Sequence, residues 1–392
     1  MYADDLLVPW YAAVMDELPG TELFDAHTHT GFNDPDGFSC SAEELIEGLE
    51  MTDARAIVFT MQEPDGYPTA NDRVIEEAAA SSGRLVPFCR LDPADDPVAE
   101  AERALDRGAR GIKLHPRAEQ FRLADDRLEG VYALADERGL PIVTHAGRGI
   151  PALGRDALEI TSRHPGLKLI LAHAGVSDLA WIWRRAEEHP NLFFDTAWWS
   201  TPDHLTLFAH VPPGQILFAS DMPYGTTMIA TVLGLRAALQ AGLSLDQIRE
   251  IAGGQAIRLL EGEEPLDLGP APGEDAVRHD LVLSRVHAYL STAVGRMMSG
   301  DDVPDYMGLA RLACEVGNDA PQEEVCASIL SLLDRAEAYA AEAEEPTRPP
   351  GHHSRPRPHP RVGLAIVAAA IALTPDVPVP VPETVDVAER TP

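Results

Sequence analysis

A chain of 392 residues with 45% hydrophobic content can bury a sizeable core, and it exceeds one ordinary domain, so one large domain with further C-terminal material is expected. Its 63 acidic against 31 basic residues leave a formal charge of −32, which excludes nucleic acid and anionic membranes as partners because a polyanion needs a basic footprint. Cys40, Cys89, Cys314 and Cys326 have neither CxxC spacing nor the density of a secreted disulfide scaffold, so a reducing compartment, the cytoplasm, is expected.

The acidic, amphipathic stretch 1–20 lacks the basic start and cleavage site of a signal peptide and reads as a capping helix. From 22 to about 262, apolar β-type runs alternate with helical patterns, the signature of βα units around a parallel sheet. Eight runs are counted: 23–27, 56–61, 85–90, 111–115, 141–145, 167–173, 192–195 and 216–221. Eight strands predict an α/β chain closed into a (β/α)8 TIM-type barrel. Ser41 and Glu44 are spaced as a capping box, and Gly108 and Gly139 stand where a left-handed helix C-cap is wanted. Pro165 and Gly166 close the helix ending at His164, and 244–260 reads as the final barrel helices, interrupted at Gly253 and Gly254.

Beyond the barrel, assigned to 1–262, the Pro/Gly/acid stretch 263–275 reads as a linker, 276–344 as a helical appendage and the Pro-rich 345–392 as a disordered tail. Within that tail 362–373 is apolar yet falls short of the roughly 20 residues that span a bilayer. A docked helix or interaction segment is expected there, not an anchor.

The strand ends carry the chemistry. Barrels of this type gather their active-site residues at the C-terminal ends of the strands. Here the first run ends in His27 and His29, which as alternate strand residues share a face; the fourth ends in Lys113 and His115, the fifth in His145, the sixth in His173 and the eighth in Asp221. A lone strand-end histidine is more often a satisfied packing residue. Several of them ending different strands of one barrel are hard to explain as packing, since each imidazole would need its own buried partner. His27, His29, His145 and Asp221 form an imidazole and carboxylate set suited to a divalent cation with an open position for water.

As an ordered set, DAHTH at 25–29, VPFCRLDP at 86–93, GIKLHP at 111–116, THAG at 144–147, LAHAG at 171–175, FASDMP at 218–223 and GGQAIRLL at 253–260 resemble the amidohydrolase superfamily. The resemblance is to its mononuclear metal-dependent branch, amidohydrolase-related or amidohydrolase 2, and spans about 22–262. It implies His27, His29, His145 and Asp221 as ligands of one divalent ion, Zn²⁺ with Mn²⁺ as the alternative. It also implies Asp221 as proton acceptor and His173 as the residue contacting substrate or the hydrolytic water.

Lys113, one of two lysines in the chain, is either the carbamylated bridging ligand that binuclear relatives use, or a cation pairing with a substrate carboxylate or Asp25. His115 shares its face and is assigned to substrate binding or loop positioning; Arg90, Arg117 and Arg148 follow strands and are weighed as anion clamps against simple solvation. Lys113, His115 and Arg90 are taken as the substrate-binding set. Trp198, Trp199, Tyr67 and Tyr224 are expected either to wall an apolar pocket or to pack loops, and His352, His353 and His359 in the tail are read as accidental.

The leading expectation is hydrolysis of a small carboxylate-bearing molecule by metal-activated water. A non-oxidative carboxy-lyase of the same branch is the alternative, slightly disfavoured because some family decarboxylases carry Glu where His27 stands. An inactive barrel kept as a binding module is the third reading. Homo-oligomerisation is left open.

Overall fold

The computed structural model describes residues 4–176, 178–301, 303–342 and 360–380. Nine short parallel strands, β1 (Phe24–Thr30), β2 (Arg55–Thr60), β3 (Leu85–Pro87), β4 (Cys89–Arg90), β5 (Ile112–Leu114), β6 (Pro141–Thr144), β7 (Lys168–Leu171), β8 (Leu192–Asp195) and β9 (Ile216–Leu217), pair in the order β1-β2-β3 and β4 through β9. β3 and β4 are the two halves of the single third run, parted at Phe88. Two seams close the ring. Phe88 N donates to Val58 O at 2.9 Å, while Ala26 N to Phe218 O at 2.9 Å and His29 N to Met222 O at 2.8 Å join the first strand to the last. The result is the expected TIM-type barrel.

Alternation along the strands divides the core. Ile57, Phe59, Val143, Ile170, Phe193 and Leu217 meet inside the barrel. Their neighbours Val58, Ile142, Leu169, Leu171, Leu192, Phe194 and Ile216 face the surrounding helices. The helix signals hold: Ser41 and Glu44 form the capping box, and Gly108 and Gly139 have φ of 121° and 64°. Gly253 lies inside a π-helical segment, Glu250–Gly254, instead of breaking the helix. A Cβ there would stand 2.9 Å from Glu22 O and 3.1 Å from Phe24 Cβ, so glycine is needed for this helix to approach β1.

Two of the expected runs end two or more residues early. β7 stops at Leu171 because His173 and Ala174 are both left-handed at φ 56°, and β9 stops at Leu217 ahead of Asp221, left-handed at φ 60°. These departures aim site side chains.

The C-terminal region departs most from expectation. The stretch 263–275 is fastened to the barrel, with Gln255 Nε2 donating to Leu266 O at 2.9 Å and Leu266 N to Gln255 Oε1 at 3.0 Å. Helices Leu281–Met298, Pro304–Ala313 and Glu323–Glu342 build a second apolar core. It takes in Leu7 and Trp10 of the first helix, Asp4–Asp16, and Trp10 Nε1 donates to Ser328 Oγ at 2.9 Å.

Within the tail, the docked helix expected at 362–373 is present: Pro360–Leu373 is a helix whose residues from Val362 to Ala372 are all buried, packed into that second core, whereas 374–380, expected to be disordered, is held by Arg236. A helix apolar all round is stable only when neighbours cover every face, and this one has them. No helix among the described residues is long and apolar enough to cross a membrane. His352, His353 and His359 lie outside the described residues.

Candidate metal centre

A β-bulge in β1 sets up the site. The pairing register of β1 with β2 shifts between Asp25 and Thr28. Phe24 and Ala26 therefore face the barrel interior before the bulge, and His27 and His29 reach it after the parity has changed. Asp221 arrives from the turn after β9, tied by its N–H to His27 O at 2.9 Å. His27 Nε2, His29 Nε2 and Asp221 Oδ1 stand 3.2 Å from one another, a triangle of potential ligand atoms.

The tautomer of His27 follows from its other nitrogen. Its Nδ1 is 2.8 Å from Asp195 Oδ2, and Asp195 Oδ1 accepts from His173 N at 2.8 Å and Ala197 N at 3.0 Å. A carboxylate so placed takes the Nδ1 proton and leaves the Nε2 lone pair for the triangle. Burial lowers His27 and His29 well below the usual histidine range, so both enter as neutral ligands. Burial pushes Asp221 well above the usual carboxylate range, with the Lys113 ammonium opposing that. Two imidazole nitrogens and a carboxylate oxygen converging at 3.2 Å form a donor set that fits a divalent metal.

Asp25 supports the same turn from behind. Its Oδ1 accepts from His27 N at 3.1 Å and Ser220 N at 3.0 Å, and burial raises it to about 7. Lys113, completely buried, points Nζ at His27 Nε2 at 3.1 Å and over the Phe59 ring at 4.3 Å, where burial pushes it down to about 7. Its expected partnership with Asp25 is thus replaced by one with His27.

His145 does not join the triangle. Its position follows from His173. Ala197 O can only accept, so His173 Nδ1, 2.7 Å away, is the donor; in a neutral ring Nε2 is then an acceptor, and it takes the Nδ1 proton of His145 at 2.9 Å. Burial lowers both rings, which keeps them neutral. His145 Nε2 is therefore a bare lone pair, buried and without a hydrogen-bond partner among the described residues. Both nitrogens of His173 are engaged, so it orients His145, and its ring also lines the cavity in which contact with substrate was expected. Gly147 makes room: a Cβ there would lie 2.6 Å from His145 Nε2. His115 stacks on His145 at 3.9 Å and 10°, and its Nδ1 accepts from Ala118 N at 3.1 Å, which gives it the loop-positioning geometry.

Arg90 lines the same cavity with its charge already matched. Its buried guanidinium meets Glu119 Oε1 at 2.7 Å and lies over Tyr67 at 5.0 Å, so its charge is already paired. Arg117 and Arg148 are exposed, and Arg148 sits 5.8 Å over Trp198. This cavity of about 530 Å³ joins these groups: His29, Lys113, His115, His145, His173 and Asp221 line it together with Trp198, Trp199, Ile229 and Leu233. Two functional positions escaped the sequence reading. Asp195 was read only as a strand end, its sole signal being a charged residue closing an otherwise apolar strand, and the C-terminal contribution to the cavity had no signal at all.

A family model described as Amidohydrolase matches residues 40–262. Among solved structures, an uncharacterised TIM-barrel protein from Bordetella bronchiseptica aligns at 17% identity and a TM-score of 0.51, covering 62% of this chain and 99% of its own. A Staphylococcus aureus protein described as a candidate amidohydrolase aligns at 19% identity and a TM-score of 0.51, covering 61% and 99%. A sequence search of curated proteins found no significant match. The structural likenesses show the fold, the family match spans more than half of the chain, and the protein therefore belongs to the amidohydrolase family of metal-dependent enzymes.

Proposed function

We propose that this protein is a metal-dependent hydrolase acting on a small carboxylate-bearing molecule through metal-activated water, with His27, His29 and Asp221 as ligands and His145 presenting a fourth nitrogen to the same cavity. The observation that carries this reading is the convergence of His27 Nε2, His29 Nε2 and Asp221 Oδ1 at 3.2 Å on the edge of a 530 Å³ cavity. The ion, zinc by donor chemistry with manganese as the alternative, supplies Lewis acidity and lowers the pKa of a water towards about 7.

The side chains do the rest. Asp221 accepts the proton released as water attacks, and Asp195 keeps His27 in the ligating tautomer. His145 Nε2 accepts a hydrogen bond or proton from the reacting group, with His173 fixing its ring. Arg117 and Arg148 at the rim are exposed cations placed to meet a substrate carboxylate, and Lys113 balances the buried charge of Asp195 and Asp221.

A non-oxidative carboxy-lyase is the second reading, favoured by the apolar wall of Trp198, Trp199, Ile229 and Leu233. Losing CO₂ disperses charge, and an apolar surround removes the water that holds a carboxylate back. Metal-loaded protein incubated with panels of esters, amides, lactones and aryl carboxylates separates the readings: acid release from esters or lactones, or amine release from amides, marks hydrolysis and trapped CO₂ the lyase. Turnover indifferent to a chelator, with no metal retained by the purified protein, would sink both.

A further inference from the structure

The cavity is not closed by family residues alone. Its lining includes Met298 and Ile366, and both lie beyond residue 262, where the family match ends. Met298 is the last residue of Leu281–Met298, and Ile366 sits in the middle of Pro360–Leu373. Ile366 is 5% exposed and Met298 36%, a buried wall and a rim.

The wall is held firmly. Pro360–Leu373 shares one apolar core with Ile229 and Leu233, which line the same cavity from the barrel. Its alanines let neighbouring helices approach closely, and its exit is clamped by the barrel. Arg236, buried, donates Nε to Thr374 Oγ1 at 2.6 Å, Nη2 to Thr374 O at 2.8 Å and Val377 O at 2.6 Å, and Nη1 to Pro378 O at 2.6 Å. Gln240 and Asp376 add a reciprocal pair at 2.9 and 3.0 Å. A guanidinium saturating the carbonyls after a helix is a strong fixture, because those acceptors have no partner within the helix. Residues Thr231–Leu235, facing this helix, are π-helical, a local rearrangement frequent at functional sites.

We propose that Pro360–Leu373 is the specificity wall of the site: Ile366, with Met298 at the rim, contacts the apolar body of the substrate and selects an anion bearing a hydrocarbon group over a small polar one. This rests on the reading of the cavity as the reaction site. The chemistry is complementary, since one cavity is lined both by ligand atoms, Lys113 and rim arginines and by the apolar Trp199, Ile229, Leu233, Ile366 and Met298.

The test uses metal-loaded, full-length protein and a ladder of benzoate, 4-methyl-, 4-ethyl- and 4-propylbenzoate, with Kd measured by calorimetry. Wild type is expected to tighten about fourfold for each added methylene buried against the wall. Ile366→Trp is expected to abolish that gain along the ladder, and Ile366→Ala to shift the best chain length upward. Met298→Trp, at the exposed rim, supplies the same reading if Ile366→Trp does not fold. An identical ladder in wild type and variants, or a wild type that binds no member, overturns the proposal. Metal content measured on the same samples keeps the two ideas apart: metal-free wild type refutes the centre, and an unchanged ladder in loaded protein refutes the wall.

Discussion

His27 Nδ1 donates to Asp195 Oδ2 at 2.8 Å, while the other oxygen of Asp195 takes two backbone N–H groups, those of His173 and Ala197. The backbone donors fix how an amide could sit in this place. In Asp195→Asn the carbonyl oxygen must stay with the two N–H groups, which turns the NH₂ towards His27 Nδ1. His27 then accepts there and carries its proton on Nε2, where it can no longer ligate. Metal affinity is expected to fall 10- to 100-fold with little loss of fold, measured by chelator competition and circular dichroism. Unchanged affinity would show that Asp195 does not set the tautomer.

The His145–His173 contact at 2.9 Å yields a second prediction. His173→Ala removes the acceptor that orders His145 but none of the three triangle atoms, so metal should remain and turnover should fall by roughly 10²-fold. Asp221→Asn should cost at least as much turnover and weaken metal too. His145→Ala should lower turnover strongly; its effect on metal reports whether the bare Nε2 reaches the ion. Metal loss in His173→Ala, with full retention in His145→Ala, would reverse the roles assigned to these two rings.

Much of this was legible in the sequence, for identifiable reasons. Runs such as Leu169-Ile170-Leu171, buried on both faces, mark a barrel strand because helices cover one face and the interior the other. His27 and His29 stand out because strand geometry puts alternate residues on one face. The partner atoms were hidden. Which nitrogen of His173 meets His145 depends on a left-handed backbone at φ 56°, and no spacing announces that. Asp195 acts through another residue, so it carries no motif. The dozen apolar residues at 362–373 sit among prolines, and only Arg236, far away in the chain, shows that their C-terminal end is received by the barrel.

Arg90 tests the difference between a substrate clamp and a structural cation. Arg90→Ala leaves Glu119, 2.7 Å from the guanidinium and itself buried, as an uncompensated charge beside Tyr67. Breaking a buried pair from one side costs about 3–5 kcal/mol, so the main effect expected is on stability in chemical denaturation. A variant of wild-type stability with a selective rise in KM for anionic substrates would return Arg90 to the clamp role it was first given.

The last prediction concerns the tail, where the sequence pointed to a dispensable segment. Truncation after residue 342 removes Pro360–Leu373 and uncovers apolar side chains on Leu281–Met298, Glu323–Glu342 and the Ile229–Leu233 face, so it should destabilise the protein and promote aggregation. Arg236→Met separates this effect from simple loss of mass. It keeps the bulk but removes the Arg236 donors from the carbonyls of Thr374, Val377 and Pro378, of which the buried Val377 has the most to lose, at a cost of about 1–3 kcal/mol. Denaturation midpoints should fall in the order wild type, Arg236→Met, truncation, with the barrel's metal content surviving in Arg236→Met. A truncated protein as stable as the full chain would mean that the second core stands without its last helix, and that Arg236 is buried for some other purpose.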